Sequence, residues 1–215
     1  SSQNQLDSAR IGLEEIQAAR DRIADSLKAA ESEERRMELD AALEAASTQY
    51  EQARQAMEQA RQAQETVMDL VGQLGEAASL EQAEAILALA EAAAGNSEVF
   101  AASVSASLEA VVQFEAGGLE TGQVMAAEAA GLLESGRASS QSLEQGRQLL
   151  AAGNFKSVMS LSQGVMADNE TILADSVVAG GPGIGVGAGG LPGGGEIPAA
   201  AAPAAQALDR ASPFQ

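Results

Sequence analysis

Apolar residues recur every seven positions through the first third of the chain. One position of this heptad repeat is occupied by Leu43, Tyr50, Met57, Gln64 and Val71, and another by Ala46, Ala53, Ala60, Val67 and Leu74. An earlier repeat is formed by Leu6, Leu13, Arg20 and Leu27, interleaved with Ala9, Ile16, Ile23, Ala30 and Met37. A spacing of about 3.5 residues over such a length predicts helices packed side by side, as in a coiled coil.

The two repeats are out of register with each other, and the wholly polar residues 31–36 lie where they meet. One interpretation is a helix that runs straight through, with a local change of supercoil. The other is a turn at this point, which would fold the two parts into an antiparallel hairpin. No Gly, Pro or Asn occurs at the join, and this favours the straight helix. Such a helix of about 65 residues would be a rod on the order of 100 Å long.

Beyond Gly72 the chain is punctuated by glycines at Gly75, Gly95, Gly117, Gly118, Gly136 and Gly153. The apolar segments between them predict five short helices, at about 79–95, 97–115, 120–134, 139–152 and 155–178. Short helices with tight turns are typical of antiparallel neighbours in a bundle. We therefore predict an all-α fold in three parts. Residues 1–74 form a long heptad-patterned helix or helical hairpin, residues 75–178 a bundle of short helices, and residues 179–215 a tail.

One turn has a more specific pattern. The small, large and turn positions of a helical hairpin are matched by Gly146, Leu149, Leu150, Gly153, Asn154, Phe155, Val158 and Val165. Residues 143–175 thus resemble a tetratricopeptide (TPR) hairpin, and this resemblance implies stacked helix pairs that bind a partner segment in a groove. The aromatic of the first helix and the closing proline are missing, Ser162 replaces a large residue, and the 34-residue period is not sustained. These departures favour a generic bundle with one TPR-like turn.

The tail has a different composition from the rest of the chain. All five prolines lie in its last 34 residues, and glycines crowd residues 180–195. Such a segment cannot bury enough surface to offset its backbone entropy, so we expect it to be flexible when alone. One hypothesis is an extended strap that packs on another chain through Ile184, Val186, Leu191, Ile197 and Phe214. The alternative is a spacer.

Charge and composition narrow the function further. The net charge is −19, and no Lys or Arg occurs between Arg61 and Arg137. Such an acidic surface repels nucleic acid and anionic lipid, and it keeps an Ala-rich protein in solution. The chain has no His and no Cys, which excludes disulfides, thiol or imidazole chemistry, and zinc or haem held by these residues. Residues 180–185 have the G-x-G spacing of a phosphate loop but lack its strand and its Lys-Ser/Thr. We expect no catalytic, cofactor or metal site.

The sequence therefore predicts a non-catalytic structural or scaffolding protein that acts by helical self-association or by docking a protein partner. The alternative is a TPR-like peptide-binding module on a helical stalk, with Phe100, Phe114 and Phe155 lining its concave surface. The start at Ser1 instead of Met suggests export to the periplasm or outside the cell, with membrane contact only through an N-terminal lipid. No apolar run approaches the roughly 20 residues of a membrane span. Low aromatic content and the absence of Cys fit a subunit of an envelope or extracellular assembly, and we expect an oligomer.

Overall fold

The computed structural model describes residues 2–179, with side chains described from Asn4 to Ser176. These residues contain five α-helices and no strand, which confirms the predicted all-α class. The helices are α1 (Ser2–Ala29), α2 (Glu33–Leu74), α3 (Leu80–Glu115), α4 (Leu119–Ala151) and α5 (Phe155–Ala179). Short loops join them, so consecutive helices run antiparallel. Helices α1, α3 and α5 consequently point one way, and α2 and α4 point the other.

The prediction of a straight helix through residues 31–36 is wrong, because the chain turns there and α1 and α2 form a hairpin. Ser32 adopts an extended backbone conformation and caps α2, its Oγ accepting a 3.2 Å hydrogen bond from the Arg35 amide. Arg36 Nε donates to the Ala30 carbonyl at 2.9 Å, which satisfies an acceptor at the end of α1. Serine is a strong N-cap residue, and capping can end a helix without any Gly, Pro or Asn.

Two of the predicted breaks are also wrong, because Gly95 and Gly136 lie inside long helices. Residues 80–151 therefore form two helices, α3 and α4, where the pattern predicted four. A Cβ added to Gly136 would lie 2.6 Å from Cε1 of Phe100. This glycine is thus explained by close helix packing. True turns occur at Gly117 and Gly153, which have φ values of 84° and 77° that favour glycine.

Helix α3 is the centre of the fold, since it contacts each of the other four helices. In the described residues α1 and α5 both contact α3 but do not contact each other. By length and composition α3 is apolar enough to cross a membrane, although the sequence predicted no span. A core helix passes the same test, and its place among four neighbours gives α3 that composition.

The described side chains form three apolar clusters, of which the two largest lie toward opposite ends of the bundle and are called its cores; the third joins α3 and α4 to the end of α5. One core combines α1 and the first part of α2 with Phe100, Val104, Val111 and Phe114 of α3. The other combines the end of α2 and the start of α3 with Leu143, Val158 and Val165 from α4 and α5. Both cores contain residues from each side of the boundary expected between residues 74 and 75, so this position does not separate two cores.

The TPR resemblance is limited to the turn at Gly153. Helices α4 and α5 have 33 and 25 residues, which is too long for a repeat that fits both helices into about 34 residues. The predicted tail, residues 179–215, lies outside the described residues except for Ala179.

Candidate helix-docking groove

Two of the three aromatic residues predicted to line a concave surface are core residues instead. Phe100 is fully buried and Phe114 is 3% exposed. Their rings fill the space left by glycines on α4, Phe100 against Gly136 and Phe114 against Gly122. Phe155 is half-buried at the start of α5. The remaining predicted contacts, at Ile184, Val186, Leu191, Ile197 and Phe214, lie outside the described residues, so their role stays a prediction.

A different surface binds a helix within the molecule, namely the groove between α2 and α3 in which α1 lies. On the α2 side, the guanidinium of Arg20 stacks over the Tyr50 ring, 4.6 Å from its centroid. On the α3 side, Gly12 approaches Val104 so closely that an added Cβ would lie 3.4 Å from Cγ1. The apolar face of α1, including Ile16, is buried between them. This part of the structure shows how the groove accommodates an amphipathic helix.

An ion pair fixes α1 at the edge of the groove. The Nε and Nη2 atoms of Arg22 donate to the two carboxylate oxygens of Glu115 on α3, at 2.5 and 2.9 Å. These hydrogen bonds, together with the charge of the guanidinium, hold the pKa of Glu115 below its usual range, against a smaller opposing effect of burial. Bidentate Arg–carboxylate pairs are the more specific kind of surface ion pair. An arginine on the inserted helix thus meets a carboxylate on the groove edge.

The groove continues past the first described residue of α1. Helix α1 is described from Ser2 and has 28 residues, whereas α2 has 42. Among the described residues, about 14 residues of α2, or roughly 21 Å, therefore have no part of α1 beside them. Four large apolar side chains are exposed in this region, with exposed fractions of 61% for Met68, 56% for Val71, 76% for Leu80 and 48% for Leu87. The short loop between Leu74 and Leu80 places the end of α2 next to the start of α3, and we name these four exposed residues the open groove.

Heptad spacing connects the open groove to the part that holds α1. Val71 follows Tyr50 and Met57 on α2 at multiples of seven residues, and both of these pack against the core that contains α1. On α3, Leu80 and Leu87 precede Leu108 at multiples of seven, and Leu108 packs against the same core. Residues at this spacing share one face of a bundled helix. The same apolar faces of α2 and α3 are therefore covered by α1 in one part and exposed in the next.

The edge of the open groove on α3 is acidic. Glu84 lies four residues after Leu80 and three before Leu87, and Glu91 lies four after Leu87; side chains at these spacings are neighbours on a helix. Among the described residues neither of these two carboxylates has a hydrogen-bond or ion-pair partner. The nearest basic residue in the sequence, Arg61, is already paired with Glu58 and Glu65.

Between the two cores lies a layer of buried polar residues. Asn96 on α3 donates from Nδ2 to Ser140 Oγ on α4 at 2.9 Å, and Ser139 Oγ donates to Asn169 Oδ1 on α5 at 3.0 Å. Asn96 also lines a pocket of about 120 Å³, and its Oδ1 atom has no partner among the described protein atoms. We name these residues the polar layer.

Comparison with protein-family models, curated proteins and solved structures finds no match to this chain. Within residues 2–179, no three or more acidic side chains are grouped so that they could hold a metal ion. Among the surfaces of the bundle, the open groove has a structural precedent in the binding of α1.

One residue of the open groove could be predicted from the heptad pattern, since Val71 continues the apolar seam of Tyr50 and Met57 on α2. That α1 packs on the same seam follows only if α1 and α2 form a hairpin, and the absence of helix-breaking residues at positions 31–36 favoured a straight helix. The aromatic residues, chosen for their size, were the wrong indicator in a bundle where glycines create space for them.

Proposed function

We propose that this protein is a non-catalytic helical scaffold that works by accepting a helix in the open groove, from another copy of itself or from a different protein. The observation that supports this proposal is the exposed continuation, past the end of α1, of the apolar surface on which α1 packs. Large apolar side chains grouped on one exposed face commonly mark interaction sites. Recognition of an amphipathic helix by an apolar groove is a recurrent mode of binding.

Light scattering after size exclusion, over a range of protein concentrations, tests the self-association form of this proposal. The full chain would be compared with the double variant Val71→Asp/Leu87→Asp, which places two charges in the open groove. The matched control is Val124→Asp, at a valine on α4 that is 70% exposed and lies outside the groove. If the groove joins copies, the full chain and the control form the same oligomer and the double variant has a lower mass.

A full chain that is monomeric at every concentration would reject self-association and leave docking of a different protein. An oligomer that is unaffected by the double variant would show that the chains associate through another surface. A fold control accompanies each measurement: all three proteins should have the same far-ultraviolet circular dichroism, since each altered side chain is already exposed.

We further propose that the scaffold belongs to an envelope or extracellular assembly. Composition supports this setting, because the chain has no Cys, one Tyr and no Trp, and a large share of Ala, Gln and Ser. Fractionation of the native cells, with an antibody against the bundle, tests it. Recovery of the protein in the cytoplasmic fraction would contradict the proposal without affecting the role of the groove.

A further inference from the structure

We infer that the occupant of the open groove is an amphipathic helix of a different protein, with a leucine-rich apolar face flanked by Lys and Arg. This inference rests on the proposed function and adds the chemistry of the partner. Among the described residues, the part of α2 that has no part of α1 beside it is about 14 residues long, or about four helical turns. A helix of that length presents an apolar face of about four residues at heptad spacing, which is enough to cover Met68, Val71, Leu80 and Leu87.

The charge of the groove edge determines the sign of the flanking residues. Glu84 and Glu91 have no ion-pair partner among the described residues, and no Lys or Arg occurs from residue 62 to residue 136. An inserted helix with acidic flanks would place like charges beside these carboxylates, whereas a basic helix would neutralise them. The Arg22–Glu115 pair of α1 is the precedent, because there an arginine of the inserted helix binds a carboxylate of α3.

A second copy of the chain fits this surface less well than a basic helix does. The chain has 12 Lys and Arg against 31 Asp and Glu, so two copies repel each other over most of their surfaces. The helix with the most suitable face, α1, already buries its apolar residues Ile16 and Ile23 in the molecule's own core. Charge complementarity therefore favours a basic partner from another protein.

Fluorescence anisotropy with designed peptides tests the inference on the full chain. The first probe is an 18-residue fluorescein-labelled helix with Leu at the a and d positions of each heptad and Lys at e and g. The second has the same apolar face and Glu at e and g. The third is a scrambled form of the first, with the same composition but no apolar stripe. We expect the first probe to bind at least about tenfold more tightly than the other two.

Protein variants then distinguish docking from unspecific attraction to an acidic protein. Val71→Asp/Leu87→Asp makes the protein more acidic, so unspecific attraction would strengthen, whereas docking should weaken by about tenfold or more because the apolar contact is lost. Glu84→Gln/Glu91→Gln should weaken binding by about fivefold, since two exposed charge interactions disappear. The matched control Glu120→Gln/Glu134→Gln changes the net charge equally on α4 and should leave the affinity unchanged.

The outcomes separate the two proposals. If the Glu-flanked peptide binds as tightly as the Lys-flanked one, and both are lost in Val71→Asp/Leu87→Asp, the groove docks helices but its preference for basic partners is refuted. If the scrambled peptide binds as well as the first, or the Asp double variant binds as well as the wild type, docking in the open groove itself is refuted. If no peptide binds, the inference fails, and the light-scattering test alone decides whether the groove joins copies.

Discussion

Two glycines on α4 offer a sharp test of how closely the helices pack. Gly131 is exposed, and a Cβ added there would meet no atom within 4 Å. Gly136 is buried, and a Cβ added there would lie 2.6 to 2.9 Å from three ring carbons of Phe100. The same substitution, Gly→Ala, in the same helix therefore introduces a methyl group into open space at one position and into a filled core at the other.

The expected magnitudes follow from two opposing terms. Replacing Gly by Ala inside an exposed helix stabilises it by about 0.8–1 kcal/mol, so Gly131→Ala should increase the free energy of unfolding by about that amount. Gly136→Ala gains the same helix propensity but overpacks the core, at a cost of typically 1–3 kcal/mol. Phe100 is fully buried and cannot move into solvent to relieve the contact. The difference between the two variants, in which propensity cancels, should thus be about 1–3 kcal/mol.

Urea denaturation followed by circular dichroism at 222 nm measures both free energies of unfolding. In thermal melts the same difference corresponds to a separation of roughly 2–12 °C in Tm. A double-mutant cycle with Phe100→Leu tests whether contact with the Phe100 ring causes the destabilisation. Without the ring, Gly136→Ala should lower the free energy of unfolding by less than it does in the wild type. If Gly136→Ala is as stabilising as Gly131→Ala, or if its cost is unchanged in the Phe100→Leu background, then α4 does not pack on Phe100 as described.

Three further predictions concern the helix cap and two carboxylates. Ser32→Ala removes the N-cap of α2 and should lower the free energy of unfolding by about 1 kcal/mol in urea titrations; an unchanged value would show that the cap does not stabilise the turn. Arg22 holds the pKa of Glu115 below its usual range. The ionised carboxylate therefore stabilises the fold at pH values above the usual pKa of a glutamate, and this contribution is lost as the pH falls through the lowered pKa. Glu115→Gln should therefore lose stability near pH 7 and depend less on pH below it, as measured by urea midpoints from pH 3 to 7. Desolvation, followed by the charge of Glu128, raises the pKa of Glu109. The protonated carboxyl therefore contributes stability at low pH, and this contribution is lost as the pH rises through the raised pKa. In urea titrations Glu109→Gln should be more stable than the wild type at pH 7, whereas at pH 4 it should have no such advantage.

The heptad pattern correctly predicted the all-α class and much of the core. Ile16, Ile23, Ala46, Ala53 and Ala60 occupy predicted seam positions, and all five are buried. Periodicity is a reliable guide here because a residue that repeats every 3.5 positions must face one side of a helix, whichever helix lies against it. It cannot identify the neighbour, and so the seam alone did not decide between a straight helix and a hairpin.

The errors have one physical origin, which is that local sequence signals depend on tertiary partners. Residues 31–36 contain no helix breaker, yet Ser32 and Arg36 cap the two adjoining helices and so stabilise a turn. Gly136 has the composition of a break, yet it lies in a helix because Phe100 occupies the space of its missing side chain. The location of Phe100 in the core could not be predicted without knowing that this glycine faces it.

The polar layer has a consequence for how the bundle opens. Helix α1 belongs to the core on one side of the layer, and most of the contacts of α5 belong to the core on the other. The end of α5 packs on a third cluster with α3 and α4, so only the first half of α5 is separated from the core of α1 by the polar layer. Fluctuations of α1 therefore have little reason to spread to that half of α5. We expect native-state hydrogen exchange to divide the amides of α1 and of the first half of α5 into two groups with separate opening free energies. The long helices α2, α3 and α4 would then act as a shared frame that stays closed while either end opens.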